Sequence, residues 1–224
     1  MKNQPSPFET HAAEYDQWFD SEHGSRIFSL ELDCLRQAVD PVSGRWLEVG
    51  VGSGRFANAL GVQVGIDPSQ EMVDIASERG IEAHLAPGER LPFEDSSFDG
   101  VLLVCTICFL NDPRKTLMEC WRVLTDSGRL VISFVPSNSP WGVYHSLRGK
   151  RGHTFYSSAH FYTSEEIKAL AENAGFTCQT EHDCVLPIPD EPLGGDDISR
   201  VTLRDESFVV LSFFRTNNNK GDHG

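Results

Sequence analysis

Three glycines at alternate positions, Gly50, Gly52 and Gly54, follow the short run Trp46-Leu47-Glu48-Val49 and lead directly into Arg55-Phe56-Ala57-Asn58-Ala59-Leu60. That order reads as strand, tight turn, helix. A turn without Cβ atoms lets a ligand approach the backbone closely. Asp67 lies seventeen residues past Gly50, at the end of a second apolar stretch, Val62 to Ile66. An acidic side chain in that position is the usual partner of two ribose hydroxyls. Together the two features predict an adenosine-containing cofactor laid across the turn.

The spacing bears on which cofactor. A dinucleotide turn reads G-x-G-x-x-G and sets a helix N-terminus against a pyrophosphate. Here the third glycine follows after one spacer, and the acidic Glu48 stands two positions before the first. A carboxylate there repels a diphosphate but can orient an ammonium group. The pattern acid-x-Gly-x-Gly-x-Gly resembles motif I of the class I S-adenosylmethionine-dependent methyltransferases. Gly65-Ile66-Asp67-Pro68-Ser69 is similar to that family's second motif. Gly88-Glu89-Arg90-Leu91-Pro92-Phe93-Glu94-Asp95-Ser96-Ser97-Phe98-Asp99 resembles the A-E-x-L-P-F-x-D-x-S-F-D stretch of the type 11 subgroup, which includes ubiquinone and menaquinone methyltransferases. Trp121 to Leu130 resembles its R-V-L-K-P-G-G-x-L turn. The four motifs occur in order over roughly residues 44–136. Departures are Pro87, where many relatives carry an adenine-contacting Asp, Gly88 in place of Ala, and Asp126-Ser127-Gly128 in place of Pro-Gly-Gly.

The resemblance implies S-adenosyl-L-methionine as cofactor and a set of residues around it. Asp67 would hold the ribose diol. Glu48, Gly50 and Gly52 would shape the methionine end. Pro68, Ser69 and Met72 would lie near the adenine, flanked by the backbone of Gly88 and Glu89. Val104 to Thr106 would lie under the sulfonium. Tyr15, ahead of the fold proper, would cover the cofactor as N-terminal aromatics do in several methyltransferases, or else pin its helix to the sheet edge.

With 224 residues, 39% hydrophobic and 23% charged, the chain suits one globular α/β domain. The net charge of -14 disfavours nucleic acid and anionic membrane surfaces. Its longest apolar run, Val101 to Leu110, is too short to cross a bilayer, and the N-terminus lacks the apolar core of a signal peptide. Six dispersed cysteines suit reduced thiols in a cytoplasmic protein. Cys105-x-x-Cys108 has no matching second pair, so packing is favoured over thiol chemistry, and no metal site is expected.

Periodicity predicts helices over 8–20 and from Ile27 to before Pro41, then strand 45–49, helix 54–60, strand 62–66, helix 69–79 and strand 82–86. Strand 99–105 is followed by a helix from Asp112-Pro113 to about Leu124, strand 130–135, a helix opened by the capping box Thr163-Ser164-Glu165-Glu166, and strands 177–186 and 207–214. Such alternation predicts a doubly wound, mostly parallel sheet with helices on both faces and ligands at the strands' carboxyl ends. The resemblance implies seven strands, the last inserted antiparallel. The expected organisation is a single methyltransferase domain over 1–224, with N-terminal helices in 8–40, a cofactor core in 44–136, a substrate cap in 137–162 and a disordered tail in 215–224.

The cap expectation rests on composition. No Asp or Glu occurs from Ser127 to Ser164, whereas Arg148, Lys150, Arg151, His145, His153 and His160 lie there with three of the four tyrosines. Aromatics would wall a small-molecule acceptor and the bases would favour an anionic one; a surface loop packed on the sheet is the plainer alternative. His145, His153 and His160 are the candidates for a general base. Asp183 to Glu206, with seven acids, reads as a loop, a dimer contact or a second side of the substrate mouth. Oligomeric state is not readable. The competing functions are a cofactor-binding sensor without turnover, a nicotinamide-dependent oxidoreductase, and a thiol or metalloid methyltransferase using Cys105 and Cys108.

Overall fold

The computed structural model describes residues 6–39, 42–187 and 206–216. Seven strands form one sheet: β1 (Trp46–Val49), β2 (Val64–Asp67), β3 (Glu82–Leu85), β4 (Phe98–Val104), β5 (Leu124–Phe134), β6 (Phe176–Cys184) and β7 (Phe208–Arg215). Their order is β3-β2-β1-β4-β5-β7-β6. β7 runs antiparallel to both neighbours and every other pairing is parallel. Val49 pairs with Ile66, and Val104 with Ser133, so the carboxyl ends of the central strands finish along one edge.

Unbroken apolar strands are explained by burial on both faces. Along β4, Val101 and Leu103 join one core with Leu117, Cys120, Ile167 and Ala171, while Leu102 and Val104 join the other with Leu35, Ala57 and Ala76. The first layer is α6 (Pro113–Val123) and α8 (Ser164–Asn173). The second is α3 (Glu22–Val39), α4 (Arg55–Leu60) and α5 (Gln70–Glu78). Local signals set the starts. Asp112 caps α6 through Lys115 N, with Pro113 in the first turn, and Thr163 with Glu166 forms the capping box of α8.

Three expectations change. The helix predicted over 8–20 is broken at His11 into α1 (Pro7–Thr10) and α2 (Ala12–Trp18). The Phe8 carbonyl, which a continuous helix would bond to the amide at 12, accepts instead from the Ser69 hydroxyl at 3.1 Å. Strand β5 begins at Leu124 rather than Leu130. The Asp126-Ser127-Gly128 stretch is carried inside it by a register shift opposite Phe98 and Gly100. The 137–162 segment contains a helix, α7 (Pro140–Lys150), capped by Ser139 with Pro140 in its first turn. Most of Asp183 to Glu206 lies outside the described residues; of the disordered tail expected over 215–224, Arg215 instead closes β7, where it pairs with Phe176, and 217–224 lies outside the described residues.

Candidate active site

All three turn glycines are left-handed, with φ of +72° at Gly50, +52° at Gly52 and +78° at Gly54. A Cβ at Gly50 would collide with the Thr106 side chain. The amides of Gly50 and Val51 both donate to Ile66 O, at 2.8 and 2.9 Å, which locks the turn to the end of β2. Thr106 Oγ1 bridges Val104 O (3.0 Å) and Gly50 O (3.3 Å), tying the same turn to the end of β4. Between them Cys105 takes φ +50°, a conformation unusual for a side chain of this kind and concentrated at functional sites.

Asp67 closes β2. Its carboxylate accepts from Gly52 N at 3.0 Å and from Ser69 N at 2.9 Å. Burial pushes its pKa up to about 6 against these two amide bonds, and Glu9 adds repulsion. Glu48, 2% exposed, accepts from the Ala57 amide, while its Oε2 has no hydrogen-bond partner. Burial, followed by the nearby Asp67, holds that carboxyl well above its ordinary range. A buried acidic oxygen without a partner fits an ammonium group better than it fits an apolar core.

A cleft with about 780 Å³ of free space, part of it open solvent, runs along this strand edge. Tyr15, Gly50, Gly52, Asp67, Pro68, Met72, Gly88, Glu89, Val104 and Thr106, all expected from sequence, line it. Ser69 does not. Its hydroxyl is committed to the Met72 amide, as the cap of α5, and to Phe8 O. The Glu89 side chain accepts from Asp112 N at 3.0 Å, which leaves its backbone to face the cleft. Sequence reasoning missed Phe8, Phe109 and Asn111 on the rim. Phe8 packs against Tyr15, Phe109 and Phe155 at 5.6, 5.0 and 5.3 Å between ring centroids, so the N-terminal segment meets the 137–162 segment over the cleft. A helical stripe of aromatics was the available signal, but it does not say which surface the stripe covers.

The cleft opens into a chamber with about 2040 Å³ of free space, part of it open solvent, and Tyr15, Gly50, Gly52, Val104 and Cys105 border both. Trp141, His145, Arg148, His153, Phe155 and Tyr156 wall it, together with Glu48 and Glu31. Of Arg148, Lys150 and Arg151, Arg148 alone reaches the chamber; Lys150 and Arg151 are exposed and do not line it. The three histidines separate. His145 is buried, with its ring 4.1 Å from Tyr156 and stacked on Phe161, and its pKa falls to about 3 through burial and then the charges of Arg148 and His153. His153 stacks on Tyr156 at 4.8 Å and is lowered by burial and Arg148. His160 is exposed, 4.5 Å from the Tyr162 ring, and does not line the chamber. Burial raises both thiols of the Cys105–Cys108 pair, Cys108 to about 12, and Cys108 Sγ meets Cys105 O at 3.3 Å. Thiolate is therefore scarce near neutral pH. Among the described residues no group of three or more His, Cys, Asp or Glu could hold a metal ion, and no helix is long and apolar enough to cross a membrane.

Residues 47–132 match the family model described as a methyltransferase domain. An uncharacterized protein of Mycobacterium tuberculosis is 42% identical over 165 residues, 74% of this chain and 58% of that protein. The ubiquinone/menaquinone biosynthesis C-methyltransferase of Geotalea uraniireducens is 32% identical over 146 residues, 56% of this chain and 60% of its own length. This chain thus spans somewhat under two thirds of these two relatives. A solved S-adenosylmethionine-dependent methyltransferase of Thermotoga maritima, described as a possible histamine N-methyltransferase, superposes with a TM-score of 0.80 at 30% identity, covering 93% of this chain and 97% of that one. Fold, turn and relatives agree: this chain belongs to the class I S-adenosylmethionine-dependent methyltransferases, in the type 11 group, with S-adenosyl-L-methionine as its cofactor.

Proposed function

We propose that the chain transfers the methyl group of S-adenosylmethionine to a small molecule held in the aromatic chamber. The observation that carries this reading is the continuity of the two spaces. A donor lying along the glycine turn would face the chamber across Gly50, Val104 and Cys105. A sensor that only bound the cofactor would need no such second space.

Bound S-adenosylmethionine supplies the electrophilic methyl and its own leaving group. The chain's residues place and shelter it. Asp67 accepts the ribose hydroxyls on the lone pairs that its two amide bonds leave free. Glu48 Oε2 takes the ammonium of the methionine end. Pro68, Met72 and the backbone of Gly88 and Glu89 flank the adenine. Tyr15, with Phe8 and Phe155, closes water out, and the aromatic walls of 137–162 hold the acceptor in line with the donor. With so low a pKa, His145 acts as a hydrogen-bonding wall rather than as a proton acceptor.

The test is calorimetric titration with S-adenosylhomocysteine, with NAD as control and Asp67→Ala in parallel. Micromolar binding weakened by about 1–3 kcal/mol in the variant supports the site. NAD binding instead, or no binding, refutes it. Consumption of S-adenosylmethionine with a bound acceptor then separates an enzyme from a sensor, which binds and never turns over.

A further inference from the structure

Glu31 lies in the middle of α3 on the helix's inner face, 8% exposed, and borders the chamber. The same face carries Ile27, Leu35 and Ala38, and a leucine at position 31 would serve packing better. Among the described residues no hydrogen bond reaches the carboxyl; burial, followed by the neighbouring Cys184, disfavours its ionisation. A carboxyl buried without a donor is costly, and chains keep such groups where a ligand completes them. Its charge is felt by Tyr15 on α2, Cys105 after β4 and Tyr156 in the 3-10 turn Tyr156–Ser158. Tyr15 and Cys105 border both cleft and chamber, and Tyr156 walls the chamber. Glu48 has a partner in the methionine-end ammonium; Glu31 is left over. Arg148 is not its counter-ion. That guanidinium sits 5.3 Å over the Tyr144 ring and acts on His145, His153 and Tyr156 instead.

We propose that Glu31 is the acceptor-binding carboxylate of the chamber, and that the acceptor is a small amine on an apolar body, bound as its ammonium ion and deprotonated by Glu31. The proposal rests on the methyltransferase reading above. Ring faces of Tyr15, Trp141, Phe155 and Tyr156 attract a cation, and the carboxylate neutralises it where water is scarce. The ammonium gives one proton to the Glu31 carboxylate, leaving a neutral amine. The nitrogen lone pair forms the new N–C bond while the C–S bonding pair passes to sulfur. The products are a methylated ammonium ion and S-adenosylhomocysteine, and Glu31 loses its proton to solvent when they leave. Burial pushes the Glu31 pKa up to about 8, close enough to an amine's for the exchange to run near neutral pH. The groups facing it are Tyr15, Cys105, Tyr156 and Cys184, with Cys34 on its own helix. Burial also raises Tyr15, Cys105 and Tyr156, so these stay neutral through that range.

The experiment is calorimetry on the full chain saturated with S-adenosylhomocysteine. The probes are 2-phenylethylamine and 3-phenylpropionate, similar bodies of opposite charge. The amine should bind at least tenfold more tightly than the acid. Its affinity should rise as pH goes from 6 to 9, and Glu31→Gln should weaken it at least tenfold with S-adenosylhomocysteine affinity unchanged within twofold. Equal binding of both probes, a Gln variant that keeps the amine, a flat pH profile of the wild type, or no binding of either probe to the loaded chain each overturns the proposal. Should Glu31→Gln fail to fold, the wild-type pH profile and the comparison of probes still decide. Failure to bind S-adenosylhomocysteine at all is the separate result that removes the underlying reading.

Discussion

Asp16 on α2 accepts two hydrogen bonds from Arg55 at the start of α4, at 2.7 and 3.1 Å, although 39 residues separate them. Arg79 adds bonds of 2.9 and 3.1 Å from the end of α5, and its other nitrogen reaches Ser53 O inside the glycine turn. Burial opposes ionisation of Asp16, but hydrogen bonds from Arg55, Arg79 and Ser53 outweigh it and hold the carboxyl well below its ordinary range. The neighbouring Tyr15 is thereby fixed over Gly52, where an added Cβ would lie 4.0 Å from its ring.

Asp16→Ala should therefore cost about 1–3 kcal/mol of stability, since Asp16 and Arg55 are each less than one fifth exposed but Asp20 remains for Arg55. Urea denaturation measures that loss. Amide exchange over 12–19 should quicken, and S-adenosylhomocysteine affinity should fall severalfold. Unchanged affinity would mean that Tyr15 does not cover the cofactor.

Gly50 and Gly61 form a matched pair for testing the turn. Both are left-handed, at φ +72° and +75°, but a Cβ at Gly61 meets nothing within 4 Å whereas one at Gly50 overlaps Thr106. Gly61→Ala should cost about 1 kcal/mol, the backbone penalty alone. Gly50→Ala should cost about 2–4 kcal/mol by adding steric strain, and should abolish measurable cofactor binding. Equal losses in thermal unfolding would show that Thr106 moves aside.

The lining of the cleft was legible because it is written in local geometry. Strand-end acids and left-handed glycines are neighbours in sequence as well as in space. Even the longer motifs interlock: Arg122 of the Trp121 to Leu130 motif donates to Leu91 O and Phe93 O of the Leu91-Pro92-Phe93 loop, at 3.1 and 2.8 Å. The chamber beyond the cleft was not legible. Glu31 reads in sequence as one more acid on an amphipathic helix, and only the packing of α3 against β6 and β7 buries it. The bond between Ser69 and Phe8 spans 61 residues, so no local pattern announces the break at His11. The aromatic, acid-free composition of 137–162 pointed to a wall, but the partition of its histidines into one buried, one at the chamber and one exposed depends on tertiary contacts.

Asp67, in the proposed ribose-binding role, should make cofactor binding depend on pH. Its pKa stands near 6 before ligand arrives, because burial outweighs the two amide bonds. Ribose hydroxyls donate to the ionised form, so affinity for S-adenosylhomocysteine should fall as pH drops below about 6, approaching tenfold per unit. Asp67→Asn should bind more weakly at pH 8 and lose most of that slope. Glu48 also titrates in the site, so the informative quantity is the difference between the two calorimetric pH profiles. Parallel profiles would place the titrating group elsewhere.

Glu31 should leave a mark on stability as well. Its pKa in the fold is pushed up to about 8 by burial, against an ordinary 4.5 in the unfolded chain. Between those values the folded state holds the proton more tightly than the unfolded one. Stability from this group is therefore complete below about pH 4.5 and is lost as pH rises through about 8. The shift corresponds to roughly 4 kcal/mol across that window. Glu31→Gln cannot titrate, so the wild type's stability should fall between pH 5 and pH 8.5 by a few kcal/mol more than the variant's in urea denaturation. Asp67 and Glu48 titrate in both proteins and cancel in the difference. A saturating amine probe should restore part of the wild-type loss at pH 8.5, because it binds the ionised carboxylate of the folded state alone. Identical pH–stability curves for the two proteins would show that the Glu31 carboxyl is solvated, and would remove the reason to assign it a ligand.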